Sequence, residues 1–164
     1  MPSSERPINT KIWLDQALLY AESTSGCNKV AVGSAIVADG CIVALGANRT
    51  IPNLCRNPSC GCLRVEKYGN DSKAHRDPAD CRAIHSEVDA ICSAASQGHS
   101  VKGAKIFVTR YPCENCARAI VAAGISTVYY GGTSTISKET QDILETGEIT
   151  AYHVDWWRED NTDR

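Results

Sequence analysis

The chain predicts an α/β fold, a mixed sheet of about five strands held between helices as a three-layer α/β/α sandwich. Two observations carry this. VAVGSAIVADGCIVALGAN (30–48) is a pair of β-rich runs around Asp39-Gly40, a hairpin signal because both central residues of a type I′ turn need positive φ. From His85 onward, helix-like and strand-like runs alternate down to ITAYHV (149–154), the pattern of parallel strands joined by helices. At 164 residues the chain is expected to be a single domain with a real core. It would carry a loose arm at 1–9, a Cys-rich inserted loop at 48–82 and a polar tail at 155–164.

In chain order, Asn9 or Thr10 can cap a first helix running to about Ser23. Its apolar face is read as Trp13, Ala17, Tyr20 and Ala21, widened by Ile12, Leu18 and Leu19. The hairpin follows, with Cys41 expected as a small buried thiol. Residues 48–82 are long, polar and rich in Pro and Asn, which in a compact domain marks a functional or disordered loop. Next comes a helix from His85 to about Gln97, with an apolar stripe of Val88, Ile91, Cys92 and Ala95. Then come KIFVT (105–109) as a strand and ENCARAIVAAG (114–124) as a helix stopped by Gly124. STVYYGG (126–132) is a strand, Ser137 or Lys138 to Thr146 a helix, and ITAYHV the last strand. Trp156 and Trp157 either cap the core or meet a partner subunit.

Composition narrows the function classes. Lys plus Arg is 17 against 19 Asp plus Glu, net −2, with no basic stripe to grip a polynucleotide. MPSSERPINT has no apolar leader core, and no apolar run reaches 18 residues, so a cytoplasmic chain without membrane contact is expected. Nine cysteines without a secretory signal point to metal or buried thiols rather than a disulfide framework.

The chemistry concentrates in CRAIHSEVDAICSAA and VTRYPCENC. The first contains His85-x-Glu87 and the second Pro112-Cys113-x-x-Cys116. One imidazole and two thiolates are three zinc ligands, and Cys113 and Cys116 share a helix face. Three protein ligands leave a fourth position for water, whose pKa zinc lowers from about 15.7 to roughly 7. Glu87 would be general acid and base rather than a ligand. The two halves together match the H-x-E…P-C-x-x-C signature of zinc-dependent nucleobase deaminases. The bland alternative is a closed structural zinc site with Glu87 a solvated helix residue. The thiols of the 48–82 region suggest a second, structural zinc. Several sets of four are available. Cys27, Cys55, His75 and Cys81 are favoured, with Cys60 and Cys62 as substitutes.

From about Trp13 to Ile149 the chain resembles the deoxycytidylate (dCMP) deaminase family of the cytidine deaminase-like superfamily. GCLR (61–64) with CRAIH (81–85), CARAIVAAGISTVYYG (116–131) and GANRTIP (46–52) carry the resemblance beyond the zinc signature. It implies hydrolysis of dCMP to dUMP and ammonia, catalytic zinc and often a second zinc, homo-oligomers, and dCTP and dTTP as effectors in many members. Asn48 would contact the substrate. Four departures fall near the pocket. The family's Gly-Tyr-Asn-Gly-x-Pro turn becomes Gly46-Ala47-Asn48-Arg49-Thr50-Ile51-Pro52. Ser86 replaces the usual Ala, Asp89 a frequent Asn, and Arg110-Tyr111 the usual Leu-Ser. They leave dCTP or a modified cytosine nucleotide open as substrate. Ser86 is counted among the substrate-side residues. Arg49 and Arg110 are candidate phosphate contacts, although a solvated arginine is the commoner case. Tyr129 or Tyr130 could stack on a base, and strand alternation lets only one of them, Tyr130 for choice, face the pocket. The alternative from another class is a non-catalytic zinc- and nucleotide-binding module.

Overall fold

The structure is a computed structural model that describes residues 9–27, 30–50, 83–132 and 137–156. Its elements run α1 (Thr10–Thr24), β1 (Gly33–Ala38), β2 (Cys41–Ala47), β3 (Arg49–Thr50), β4 (Ala83–Ile84), α2 (Ser86–Ser96), β5 (Lys105–Val108), α3 (Glu114–Ala122), β6 (Thr127–Tyr130), α4 (Lys138–Thr146) and β7 (Thr150–His153). Five strands form one mixed sheet in the order β2-β1-β5-β6-β7, and β3 with β4 forms a two-stranded ladder. β1 is antiparallel to both β2 and β5, while β5, β6 and β7 are parallel to one another. The mixed sheet expected from the chain pattern is what the structure contains.

The hairpin turns where Asp-Gly predicts. Asp39 and Gly40 have φ of 51° and 74°, and Ala38 pairs with Cys41. Between Ile36/Ala44 and Val37/Ile42 the register slips by one, leaving Val43 as the extra residue of a bulge.

Strand alternation then sorts two cores. Ala35, Val37 and Phe107 face α1 and meet Leu14, Ala17, Leu18, Val154 and Trp156. Ile36, Ile106, Val108 and Val128 face the other way, against Ala90 and Ala94 of α2, Ala117 and Ile120 of α3, and Leu144 of α4. Among the described residues, one helix therefore covers one face and three cover the other. Two glycines set how closely the helices approach. A Cβ on Gly33 would lie 1.9 Å from the Ala17 carbonyl oxygen of α1, and one on Gly46 2.2 Å from the Ser86 carbonyl oxygen of α2.

Several expectations are corrected. The buried face of α1 is Leu14, Ala17, Leu18 and Ala21, whereas Ile12 and Leu19 are each 48% exposed. So many of this helix's residues are apolar that more than one stripe can be drawn. α2 buries Ser86, Glu87, Asp89, Ala90 and Ala94, not the Val88-Ile91-Cys92-Ala95 stripe, and Cys92 is exposed. Its inner face is small and polar because β2 lies too close for larger side chains. Cys41 is also exposed, at the first position of the outer strand β2. Trp156 caps the core. It is 6% exposed, its ring lies against Gly131, and its Nε1–H donates to Asp15 Oδ1 at 3.0 Å. Trp157 and all of residues 51–82 lie outside the described residues.

Candidate active site

His85 and Cys113 occupy equivalent places, each the N-cap residue of its helix. His85 opens α2 and Cys113 opens α3, both with extended backbone (ψ of 150° and 172°). Cys116 follows in the first turn of α3. The segment entering His85 is tied down by β4, where Ile84 pairs with Arg49 and Ala83 with Thr50. The segment entering Cys113 follows β5, whose end is held by Thr109. Thr109 Oγ1 accepts the Gly33 N–H at 3.0 Å.

These supports bring three donors together. His85 Nδ1 is 3.4 Å from Sγ of both Cys113 and Cys116. The three ligand atoms all lie within 4.8 Å of one another, and they form the metal-competent cluster of three or more such residues found among the described residues. Two thiols and an imidazole at that spacing suit zinc, and the N-terminal end of α3 favours negative charge on the sulfurs. The hydrogen bond from Cys116, with His85 adding to it, holds the Cys113 thiol down to about 3. Cys116 is pushed up by the Cys113 sulfur, by burial and by Glu87. A divalent cation would take both sulfurs as thiolates.

Glu87 is 4% exposed, and burial raises its pKa above the usual carboxylate range, with the sulfur of Cys113 adding to the rise. Its carboxylate reaches Cys116 on one side and accepts the Ser86 hydroxyl on the other, Oγ to Oε2 3.2 Å. A carboxylate raised in this way, next to three metal donors and not used as one of them, has the character of a proton carrier.

The remaining candidates fall into place around this centre. Asn48 is 8% exposed and braces the loop before β1. Its Oδ1 accepts the Val32 N–H at 2.8 Å and lies 2.7 Å from Ser25 Oγ, and its Nδ2 donates to the Val30 carbonyl at 2.8 Å. Ser86 is wholly buried and faces Ser34, Oγ to Oγ 2.7 Å. Arg49 is paired with Asp89: Nε and Nη2 each lie 2.7 Å from Asp89 Oδ1, while Oδ2 accepts the Ala47 N–H at 3.1 Å. That bond and charge hold the guanidinium protonated above its ordinary range. Two departures from the family pattern, at 49 and 89, are thus partners of each other. Arg110 is half-buried, with its Cγ beside Gly132.

The choice between the two tyrosines is resolved by the pleat. Tyr129 faces the α1 side and stacks on Phe107 at 4.8 Å, whereas Tyr130 faces the side of the metal helices. Tyr130 meets Tyr111 edge-on at 4.5 Å. Burial pushes the Tyr111 hydroxyl up to about 12, so the residue before Pro112-Cys113 stays a neutral aromatic wall. Cys27 is half-buried and its N–H donates to Ser25 Oγ. Cys55, Cys60, Cys62, His75 and Cys81, the other favoured or substitute ligands of a second zinc, lie outside the described residues. Two contributors were missed in the sequence, Ser34 and Gly46. The one visible sign of Ser34 was a lone hydroxyl in the otherwise apolar run GSAIVA.

Comparison with known proteins agrees with this geometry. The family described as the cytidine and deoxycytidylate deaminase zinc-binding region matches residues 8–132. ComE operon protein 2 of Bacillus subtilis is 33% identical over 138 residues, which are 84% of this chain and 66% of that protein. A deoxycytidylate deaminase of Pongo abelii is 34% identical over 115 residues, 70% of this chain and 59% of its own length. The chain thus spans less than two thirds of the length of these curated relatives. The crystal structure of a dCMP deaminase from cyanophage S-TIM5, in complex with dCMP and dUMP, superposes with a TM-score of 0.71. That match covers 92% of this chain and 99% of that one at 24% identity, a likeness of fold. With the zinc-binding region matched from residue 8 through the end of β6, the chain belongs to the cytidine and deoxycytidylate deaminase family.

Proposed function

We propose that the protein catalyses zinc-dependent hydrolytic deamination of a deoxycytidine nucleotide, dCMP to dUMP and ammonia. The observation that carries this reading is the cluster of His85, Cys113 and Cys116 with the Glu87 carboxylate buried beside it. His85 Nδ1 and the two sulfurs would hold zinc, which supplies an activated water at neutral pH. Glu87 would carry two protons in turn, the first from the attacking water to the ring nitrogen and the second from the hydroxyl formed at C4 to the amino group, which leaves as ammonia. The carboxyl must therefore be both acid and base within one cycle, and burial favours its protonated form midway. Tyr130, packed edge-on against Tyr111, is the proposed stacking partner of the base. Asn48 is proposed to meet the sugar, and since its oxygen is committed to Val32 and Ser25, that contact falls to its second amide hydrogen. Arg110 is the proposed phosphate contact.

Further parts of the reading go with the family resemblance. They are a second, structural zinc on Cys27, Cys55, His75 and Cys81 (Cys60 or Cys62 substituting), homo-oligomers, dCTP and dTTP as effectors, and one domain over 1–164. Among the described residues, no helix is long and apolar enough to cross a membrane.

The test is ammonia release by the zinc-loaded protein with dCMP, dCTP and deoxycytidine at equal concentrations. Turnover of dCMP alone supports the reading as stated. Preferential turnover of dCTP keeps the chemistry and moves the substrate. Tight nucleotide binding without ammonia from any of the three overturns the enzyme reading in favour of a binding module.

A further inference from the structure

Ser34 and Ser86 are both fully buried, at 0% exposure, against a mostly apolar layer that also holds the carboxylates of Glu87 and Asp89. A buried hydroxyl in such a layer is unfavourable unless bonded, and an alanine would fit either place. The two oxygens are 2.7 Å apart, and Ser86 Oγ is 3.2 Å from Glu87 Oε2. Each hydroxyl has one hydrogen, and the ionised carboxylate, the form that takes up a proton, can only accept. Toward that form Ser86 directs its hydrogen at Glu87 and receives the hydrogen of Ser34. The chain of bonds runs one way, from β1 through the first residue of α2 to the carboxylate.

Its origin is firmly held. Ser34 lies on an interior strand, paired with Gly46 on β2 and with Val108 on β5. Gly46 is also the residue that lets α2 come close. With a side chain there, the Ser86 carbonyl oxygen and the Ala90 nitrogen would be 2.2 and 2.4 Å from its Cβ. The packing of α2 on the hairpin thus sets the Ser34–Ser86 distance, and that distance aims the hydroxyl at Glu87.

We propose that Ser86, supported by Ser34, is a positioning residue that fixes the carboxylate of Glu87 in the orientation from which it moves protons, rather than a contact to substrate. This rests on the deamination reading. A glutamate shuttling protons between two sites loses rate when its carboxylate can swing away, so the hydroxyl acts on kcat and not on nucleotide affinity.

The experiment is a set of variants, Ser34→Ala, Ser86→Ala and the double variant, assayed for kcat, KM and bound zinc. Ser86→Ala is expected to lower kcat about tenfold with KM and zinc content unchanged. Ser34→Ala should lower it less, and the double variant should be no worse than Ser86→Ala alone, because Ser34 acts only through Ser86. Unchanged kcat in Ser86→Ala, or a raised KM at unchanged kcat, would overturn the proposal. A cycle of Ser86→Ala with Glu87→Ala, which removes the accepting oxygen, on urea unfolding decides the contact without any turnover. Coupling between the two supports it and strict additivity refutes it. A wild-type protein silent on every cytosine nucleotide would sink the deamination reading, and the unfolding cycle would still decide this one.

Discussion

On the α1 side of the sheet the buried side chains are large and apolar: Leu14, Leu18, Phe107 and Trp156. On the other side, Ala90, Ala94 and Ala117 of the helices are buried beside Ile120 and Leu144, and Ser34, Ser86, Glu87 and Asp89 are buried where α2 meets the hairpin. Among the described residues, α1 covers its own face over β1, β2 and β5, and Phe107, Tyr129 and Tyr152 stack along that face at 4.8 and 5.2 Å. The opposite face carries three helices, two of which must bring their first turns to one point, and small residues permit that approach. The difference shows a division of labour. Area buried by large side chains stabilises the sheet on both sides. Where α2 packs on the hairpin, close backbone approach gives up some of that area to place polar groups.

The largest expected effect breaks the chemistry without touching the packing. Glu87→Gln is nearly the same size in the same place, so it should keep zinc and melting temperature while turnover falls by about a thousandfold or more, since proton transfer alone contributes roughly 10²–10⁴. Metal analysis beside the ammonia assay checks both halves, and retained turnover would remove Glu87 from the mechanism. Cys116→Ser should lose zinc to a chelator that the wild type withstands, with activity lost in parallel. Inductively coupled plasma analysis after dialysis reads this directly.

The sharpest comparison of the two faces uses their two close-approach glycines. Gly46→Ala and Gly33→Ala each force a Cβ into a helix backbone, at 2.2 and 1.9 Å. Each should destabilise by at least about 3 kcal/mol in urea unfolding. Only Gly46→Ala, which displaces α2, should also lower kcat per folded molecule. Equal effects on kcat would mean that the faces are not separable. Phe107→Ala on the α1 side should lose about 3–5 kcal/mol of stability with the activity of the remaining folded protein unchanged.

The smallest effect concerns the pair at the edge of the site. Arg49→Ala leaves Asp89 buried without its cation, yet Arg49 is itself 47% exposed and screened by solvent. The loss should be about 1 kcal/mol. Asp89→Asn should cost less, because an amide oxygen can still accept the Ala47 N–H. A double-mutant cycle on chemical unfolding measures the coupling, and none would mean that the pair is incidental to the fold.

What could be read from the residues follows the same division. The Asp39-Gly40 turn, the strand and helix order after His85, and the His85, Glu87, Cys113, Cys116 set were all legible, because each depends on local geometry or on the chemistry of a residue type. The burial of α2 was not. Apolar periodicity finds a buried face when burial is apolar, and this helix buries a serine, a glutamate and an aspartate while exposing Cys92. Arg49 and Asp89 were each visible as departures from a family pattern, but their pairing across 40 positions was not.

The sequence by itself determined the α/β class and singled out the His85, Cys113 and Cys116 cluster with Glu87, the proposed proton carrier, beside it, since turn preferences, hydrophobic patterning and ligand chemistry are properties of neighbouring residues. The tertiary structure alone decided that Tyr130 rather than Tyr129 faces the metal helices, that Ser86 points at Ser34 and Glu87, and that Arg49 answers Asp89. Those outcomes depend on strand register and on how closely α2 packs against β2. Both are set by contacts between segments far apart in the chain, where no local preference distinguishes one side of a strand or helix from the other.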